Sequence, residues 1–302
     1  MFLLDFGISH AQQDPQYTQD MYNMSVINPG YATDDLGTVN VGGIYRSQWV
    51  GSGAKGSPAT ASVFLHTPIS DKFETGLNIV EDQIGSGALK ETSVNADLAY
   101  IVRLNNSAKL SVGFKPGIKF LKTDFSWINL NTGDHTTDPA FQNLNETFGT
   151  LGAGAFYFTD NYYVGLSVPN FIANKSLKNA RGVREIGIDE IHVFFTGGYV
   201  FPISDNVKLK PAFMTKIVRN SPISVDFTAN VLLFDKFEIG AAYRLKDSFS
   251  GLVNYTITPQ LRVGYAYDHT ISNLGQFNSG SHEILVLYNL SFLGKKGYDK
   301  TP

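Results

Sequence analysis

The sequence predicts an all-β chain, a transmembrane outer-membrane β-barrel of about fourteen antiparallel strands. Three observations carry that prediction. Apolar and polar residues alternate in segment after segment, aromatics sit at the ends of the apolar faces, and tight turns alternate with longer loops. The alternation is clearest near the end of the chain. Leu261, Val263, Tyr265 and Tyr267 share one face, and Arg262, Gly264, Ala266 and Asp268 the other. After a Ser/Asn/Gly loop, Ile284, Val286, Tyr288, Leu290 and Phe292 again share a face. Successive strand side chains point to opposite faces, so the two runs form an antiparallel pair with one continuous apolar side. A soluble sheet turns such a side onto a core, whereas a membrane barrel turns it to lipid.

Composition agrees. Aromatic residues make up 13% of the 302 residues and charged residues 17%, while mean hydropathy is -0.08. That mixture suits strands that are half polar. No window approaches the roughly 18–20 apolar residues of a spanning helix. With no cysteine there is no disulfide framework, thiolate metal site or thiol nucleophile. A net charge of -3 supplies no basic field, so nucleic acid is not an expected partner.

In chain order, residues 1–11 read as the remnant of a signal peptide, with Ser9-His10-Ala11 as a small-residue cleavage site. Residues 12–37 are polar and turn-rich, punctuated by Asn28-Pro29-Gly30, and read as an N-terminal periplasmic segment. The barrel follows over 38–292, and 293–302 is a polar periplasmic tail. Strands are expected near 38–50, 57–68, 73–83, 89–104, 107–121, 147–158, 161–169, 190–201, 205–218, 223–233, 236–245, 248–257, 260–269 and 281–292.

Every second connection is tight: Ile69–Lys72, Asn105–Asn106, Thr159–Asn161, Ile203–Asp205, Asp235 and Thr258–Pro259. The longest connections, 122–146 and 170–189, both fall in the other set, as does 271–280. Short periplasmic turns opposite long extracellular loops is the outer-membrane pattern. The faces agree with it. Charge on the lipid side would cost about 2–4 kcal/mol at mid-membrane. The lumen must therefore hold Arg46, Lys115, Lys119, Lys208, Lys210, Arg244 and Arg262, with Asp97, Asp226, Glu238, Asp268 and Glu283. Pairing of these charges across the interior would leave little open pore.

Catalytic signals are weak. The six histidines include no metal-ligand spacing, and no nucleophile elbow, phosphate loop or dinucleotide fingerprint is present. No cofactor is expected. Gly51-Ser52-Gly53-Ala54-Lys55-Gly56 precedes a strand instead of a helix, so it is a hairpin loop and no phosphate cradle. Ser281, His282 and Asp268 lie near one loop and could form a hydrolase constellation. A polar loop rim is the plainer reading.

Several stretches, in order, resemble the PorP/SprF family of type IX secretion outer-membrane proteins. They are Gln16-Tyr17 with Asn28-Pro29-Gly30-Tyr31-Ala32; Tyr45-Arg46-Ser47-Gln48-Trp49-Val50-Gly51 with Pro58-Ala59-Thr60; and Tyr162 to Asn170, closing on Pro169-Asn170. Ala242-Tyr243-Arg244, Val263 to Asp268, and Gly280-Ser281-His282-Glu283-Ile284 complete the series. Alternation places Arg46 and Gln48 in the lumen and Tyr45 and Trp49 toward lipid. It makes Asp268 and Glu283 partners of Arg262 or Arg244. Some members carry a large carboxy-terminal peptidoglycan-binding domain, and this chain stops about ten residues after Phe292, which favours the SprF-like branch.

The resemblance implies a non-enzymatic component that assists export and surface attachment of a particular large adhesin. It would recognise a carboxy-terminal sorting domain on that cargo and work with other type IX components and the lipid of the outer membrane. Loop tips on a rigid scaffold carry such roles. Phe125, Trp127 and Ile128 in the longest loop would form the docking surface, or fold back over the barrel mouth. The competing reading is a diffusion porin or a transporter of small hydrophobic substrates.

Overall fold

The computed structural model describes residues 16–51, 56–125, 143–172, 190–219 and 221–291. The strands are β1 Thr38–Ser47, β2 Ala59–Ser70, β3 Phe73–Ile84, β4 Leu89–Arg103, β5 Lys109–Thr123, β6 Asn145–Phe158, β7 Tyr162–Val168 and β8 His192–Tyr199. They continue with β9 Phe201–Ser204, β10 Val207–Val218, β11 Ser224–Leu233, β12 Phe237–Arg244, β13 Ser248–Thr256, β14 Leu261–Thr270 and β15 Ser281–Ser291. β8 and β9 are two halves of one stave, both paired with β10 and broken at Val200. The expected fourteen staves are therefore present as a closed antiparallel barrel. β10 pairs with β11, and β1 pairs with β15 from Thr38↔Ser291 to Ser47↔His282. Closure leaves no open edge, as a hydrocarbon environment demands.

The faces are inverted relative to a soluble protein. Val63, Leu98, Phe114, Leu166, Phe227, Ile239 and Ile284 stand on the outside, each at least half exposed. Arg46, Lys115, Lys119, Lys210, Glu238, Arg262, Asp268 and Glu283 are buried within. Lys208 lies nearer the rim, paired with Asp235 at 2.8 Å. A one-residue slip would exchange the two faces, so lipid on one side and charge on the other hold the register.

The turns after β2, β4, β6, β9, β11 and β13 are short and share the end where β1 begins and β15 finishes. In the turn after β11, Phe234 and Asp235 have φ of 53° and 52°, and Lys236 N–H donates to Leu233 O at 3.0 Å. That left-handed pair matches the twist of the flanking strands. The longer connections all leave from the opposite end.

One expectation is corrected. Residues 16–35, read as periplasmic, lie inside the barrel. Tyr17 to Ser25 and Ile27 to Gly30 are buried, and the segment contacts staves around the whole circumference. The polar residues that suggested solvent are matched here to a polar wall. Residues 1–11 and 293–302, read from the sequence as a signal remnant and a tail, lie outside the described residues, as do Trp127, Ile128 and Phe292. No helix among the described residues is long and apolar enough to cross a membrane.

Candidate functional site

The lumen and the amino-terminal arm inside it form the densest polar site among the described residues. The arm is irregular, with a 3₁₀ turn at Asp20–Tyr22 and a single helical turn at Met24–Ile27. Its main-chain groups cannot pair within a long helix or ladder, so the wall must satisfy them.

Three charged wall residues do this by binding consecutive main-chain groups. Glu283 on β15 accepts Thr18 N–H at 2.9 Å and Gln19 N–H at 2.8 Å, one on each oxygen. Glu74 on β3 accepts Thr33 N–H at 2.8 Å and Asp34 N–H at 3.3 Å, while His66 Nδ1 lies 3.0 Å from its other oxygen. Lys115 on β5 donates to Ser25 O and Val26 O, both at 2.8 Å, and Asp97 steadies it at 3.2 Å. These clamps read chiefly the path of the chain, with the Thr33 hydroxyl adding one side-chain contact by donating to Glu74 at 3.1 Å. Hydrogen bonds to charged groups contribute about 1.5–3 kcal/mol each.

Arg46 joins the first clamp to its neighbour. Its guanidinium lies 3.1 Å from Glu283 and 2.5 Å from Asp268, and it also donates to Thr18 Oγ1 at 3.0 Å. Thr18 Oγ1 in turn donates to Asp268 at 2.6 Å. Asp268 and Glu283 therefore pair with Arg46, not with Arg244 or Arg262. Register explains the difference: Arg46 sits opposite Glu283 across the seam, and Arg244 opposite Asp226 across β11–β12. Arg244 binds Asp226 at 2.9 Å, and Arg262 lies 3.8 Å from Glu238.

A second node surrounds Tyr22. Its hydroxyl donates to Glu238 at 2.5 Å and accepts from Arg262 at 3.1 Å and Lys210 at 3.4 Å. Both cations also lie over its ring, 5.2 and 5.4 Å from the centroid. The negative ring face favours that arrangement.

The third element is a recess of glycines. A Cβ on Gly113 of β5 would sit 2.0 Å from Pro29 O, and one on Gly154 of β6 would sit 2.1 Å from Asn28 Oδ1. Gly113 and Gly154 are register partners, so the recess is continuous across two staves. Asn28 fits there by accepting Gly30 N–H at 2.8 Å and donating to Ala155 O at 3.1 Å. On β7 the inward residues continue the same surface. Tyr163 stacks on Phe156, Gly165 leaves room for the Asn28 amide, and Ser167 donates to Ile27 O at 3.0 Å. Pro169 O then lies over Gly152, and Asn170 Oδ1 accepts Leu151 N–H at 3.3 Å, turning the chain across β6.

Asp20 is buried among Asp226, Arg244 and Thr18, its own carboxylate accepting Met21 N–H at 2.8 Å. A cavity of about 90 Å³ remains beside the arm, lined by Val26, Ile27, Lys115, Lys119, Pro169 and Asn170 among others. It has room for a few waters and for no further strand.

The remaining sequence candidates divide by face. Tyr45 and Trp49 are exposed on the outside, and Gln48 is half-buried beyond the end of β1. Ser281 is buried and accepts Trp49 N–H at 3.3 Å. His282 points the other way, 2.6 Å from Tyr265 Oη on the outer surface. Ser281, His282 and Asp268 therefore form no triad. Phe125 N–H donates to Asn143 Oδ1 at 2.9 Å where the longest loop begins. No group of three His, Asp or Glu that could hold a metal ion occurs among the described residues.

Sequence reasoning missed Thr18, Gln19, Tyr22, Glu74, Gly113 and Gly154. Inward glycines on neighbouring strands were the available signal, since empty inward positions imply something seated against them.

The fold and its filled lumen define an outer-membrane β-barrel closed by its own amino-terminal arm. The chain belongs to the family described as type IX secretion system membrane protein PorP/SprF, matched over residues 9–288. The match is to the family as a whole and does not single out its SprF-like branch. It is a secretion-system membrane barrel family and not an enzyme family, and its members work with other secretion components. Among solved structures the Pseudomonas putida toluene transporter TodX is similar in fold, at 8% identity and a TM-score of 0.52, over 89% of this chain and 94% of that one. The Acinetobacter baumannii outer membrane protein Omp33 aligns at 10% identity and a TM-score of 0.47, over 84% and 98%. Nothing among curated proteins matches the chain.

Proposed function

We propose that this barrel is a cargo-specific outer-membrane partner in type IX secretion, assisting export and surface attachment of a large adhesin through its carboxy-terminal sorting domain. The observation that carries the reading is the arm. With the lumen filled by Glu283, Glu74 and Lys115 gripping residues 18–34, the barrel is a rigid scaffold, and its loop-bearing face is the surface left for recognition. Phe125, Trp127 and Ile128 would supply apolar contact there, as interface cores do. The same filling argues against a diffusion porin or a hydrophobic-substrate transporter.

Mild-detergent purification of the tagged protein from its native outer membrane tests this. Co-purification of a large surface protein with type IX components is the expected result. A barrel that emerges alone would refute it. Deleting residues 124–142 should abolish cargo retention while the barrel still assembles, and retained cargo would reject the docking loop.

A further inference from the structure

We infer that the upper edge of β6, from Asn145 to Gly149, is a strand-addition site that takes an extended segment of the secreted cargo as a further piece of wall. Closure seals the sheet within the hydrocarbon, but β6 outruns its neighbour. It pairs with β5 from Asn145 to Phe158, and with β7 only from Ala153 to Phe158. Asn170 ends the ladder on the β7 side. Its Oδ1 accepts Leu151 N–H at 3.3 Å and Ile172 N–H at 3.1 Å, while its Nδ2 donates to Ile172 O at 3.3 Å. Phe171 N–H donates to Leu151 O at 2.9 Å, the last main-chain bond on that edge among the described residues.

Main-chain groups of successive residues in an antiparallel ladder face opposite neighbours. Leu151 faces the β7 side, so Gly149, Thr147 and Asn145 face it too, each offering an N–H and a C=O. No described residue bonds to them there. The edge carries no proline or lysine, the usual guards of an open strand. All three residues are exposed, and a Cβ on Gly149 would have nothing within 4 Å. Its register partner Ile118 on β5 is exposed beside it. A bulky apolar side chain opposite the glycine would find both room and an apolar neighbour.

The height of the edge fits this use. On its outer face β6 presents Leu151, Ala153, Ala155 and Tyr157, and then changes to Gly149, Thr147 and Asn145. The open edge therefore begins where the apolar band gives out, at the end opposite the short turns, which faces the exterior in outer-membrane barrels. Unpaired main chain is tolerable there and would not be in lipid. A free main-chain edge selects an extended strand. Geometry excludes a second copy of this barrel. Strands tilt by about 35–45°, so a two-fold along the membrane normal would cross the two β6 edges, and antiparallel pairing would turn one barrel upside down. The strand must come from a partner outside the cell. Naming that partner as the cargo rests on the function proposed above; the open edge does not.

Thr147→Pro removes an N–H from the open side and leaves the bonds to β5, a position where an edge tolerates proline. Gly149→Lys enters open space and guards the edge with a charge. Thr147→Val keeps the edge as it is. Assembly of each barrel would be checked by the heat-dependent shift in gel mobility. In mild-detergent purification the unaltered barrel and Thr147→Val should retain the large surface protein. Thr147→Pro and Gly149→Lys should retain about tenfold less, the loss of a main-chain bond and its strand seat. Equal retention by all four barrels overturns the inference and leaves the cargo reading standing. An unaltered barrel that retains no cargo refutes that reading and the named occupant with it. The edge itself is read separately, by fluorescence anisotropy of a labelled short peptide that alternates threonine and valine around a central phenylalanine. Binding to the unaltered purified barrel and to Thr147→Val, but not to Thr147→Pro, is the expected result. Binding to none, or equally to all, overturns the open edge.

Discussion

Arg46 on β1 and Glu283 on β15 are register partners at the seam that closes the barrel, and their side chains meet 3.1 Å apart while Glu283 also grips the arm through Thr18 and Gln19. First strand, last strand and arm therefore share one buried charge cluster. Closing the cylinder and seating the arm therefore draw on the same buried carboxylate.

Replacing Arg46 by Met should leave Asp268 and Glu283 buried without their cation. Removal of one partner from a buried pair costs about 3–5 kcal/mol. The urea midpoint of the refolded barrel should fall accordingly. Arg46→Lys should recover part of the loss, because an ammonium keeps the charge but not the planar fork.

Gly154→Leu should expel the arm without breaking the ladder, since its side chain would occupy the position of Asn28 Oδ1. Chymotrypsin would then cut after Tyr22 in a barrel that still shifts in gel mobility. In the unaltered protein the buried Tyr22 should resist. Equal resistance in both would show that the recess does not seat the arm.

The same variant addresses conduction. In planar bilayers the unaltered protein should pass little current, and Gly154→Leu should pass more. Sustained conductance from the unaltered barrel would favour the porin reading.

Tyr22→Phe keeps the ring between Lys210 and Arg262 and removes the hydroxyl that links them to Glu238. A hydrogen bond to a charged group contributes about 1.5–3 kcal/mol. Denaturant unfolding should register this loss. Combining it with Glu238→Gln should cost less than the sum, because the two changes disrupt one network.

The staves were legible because lipid imposes period two on every one of them. Phe237, Ile239 and Tyr243 are exposed, while Glu238 between them is buried. The break at Val200 left no mark in the alternation. Parity also told which charges face inward but not which face each other. Arg244 and Arg262 share the lumen with Asp268, yet Arg244 meets Asp226 on the neighbouring β11, and Arg262 reaches past β13 to Glu238 on β12. The arm was illegible for a different reason. Thr18, Gln19 and Asn23 read as solvated residues because polar residues normally are. Inside a wall of carboxylates and ammonium groups they become the core. Of the motif from Tyr162 to Asn170, the inward Tyr163, Gly165, Ser167 and Pro169 line the arm or its cavity. That division needs the interior to be known as occupied.

Because the arm touches β3, β5, β6, β7, β11, β14 and β15, it works as a set of spokes inside a hoop. A hollow cylinder of this circumference flattens readily under lateral load. Spokes that join opposite walls resist ovalisation, so a tug on the outer loops would be shared around the rim instead of peeling one hairpin from its neighbour.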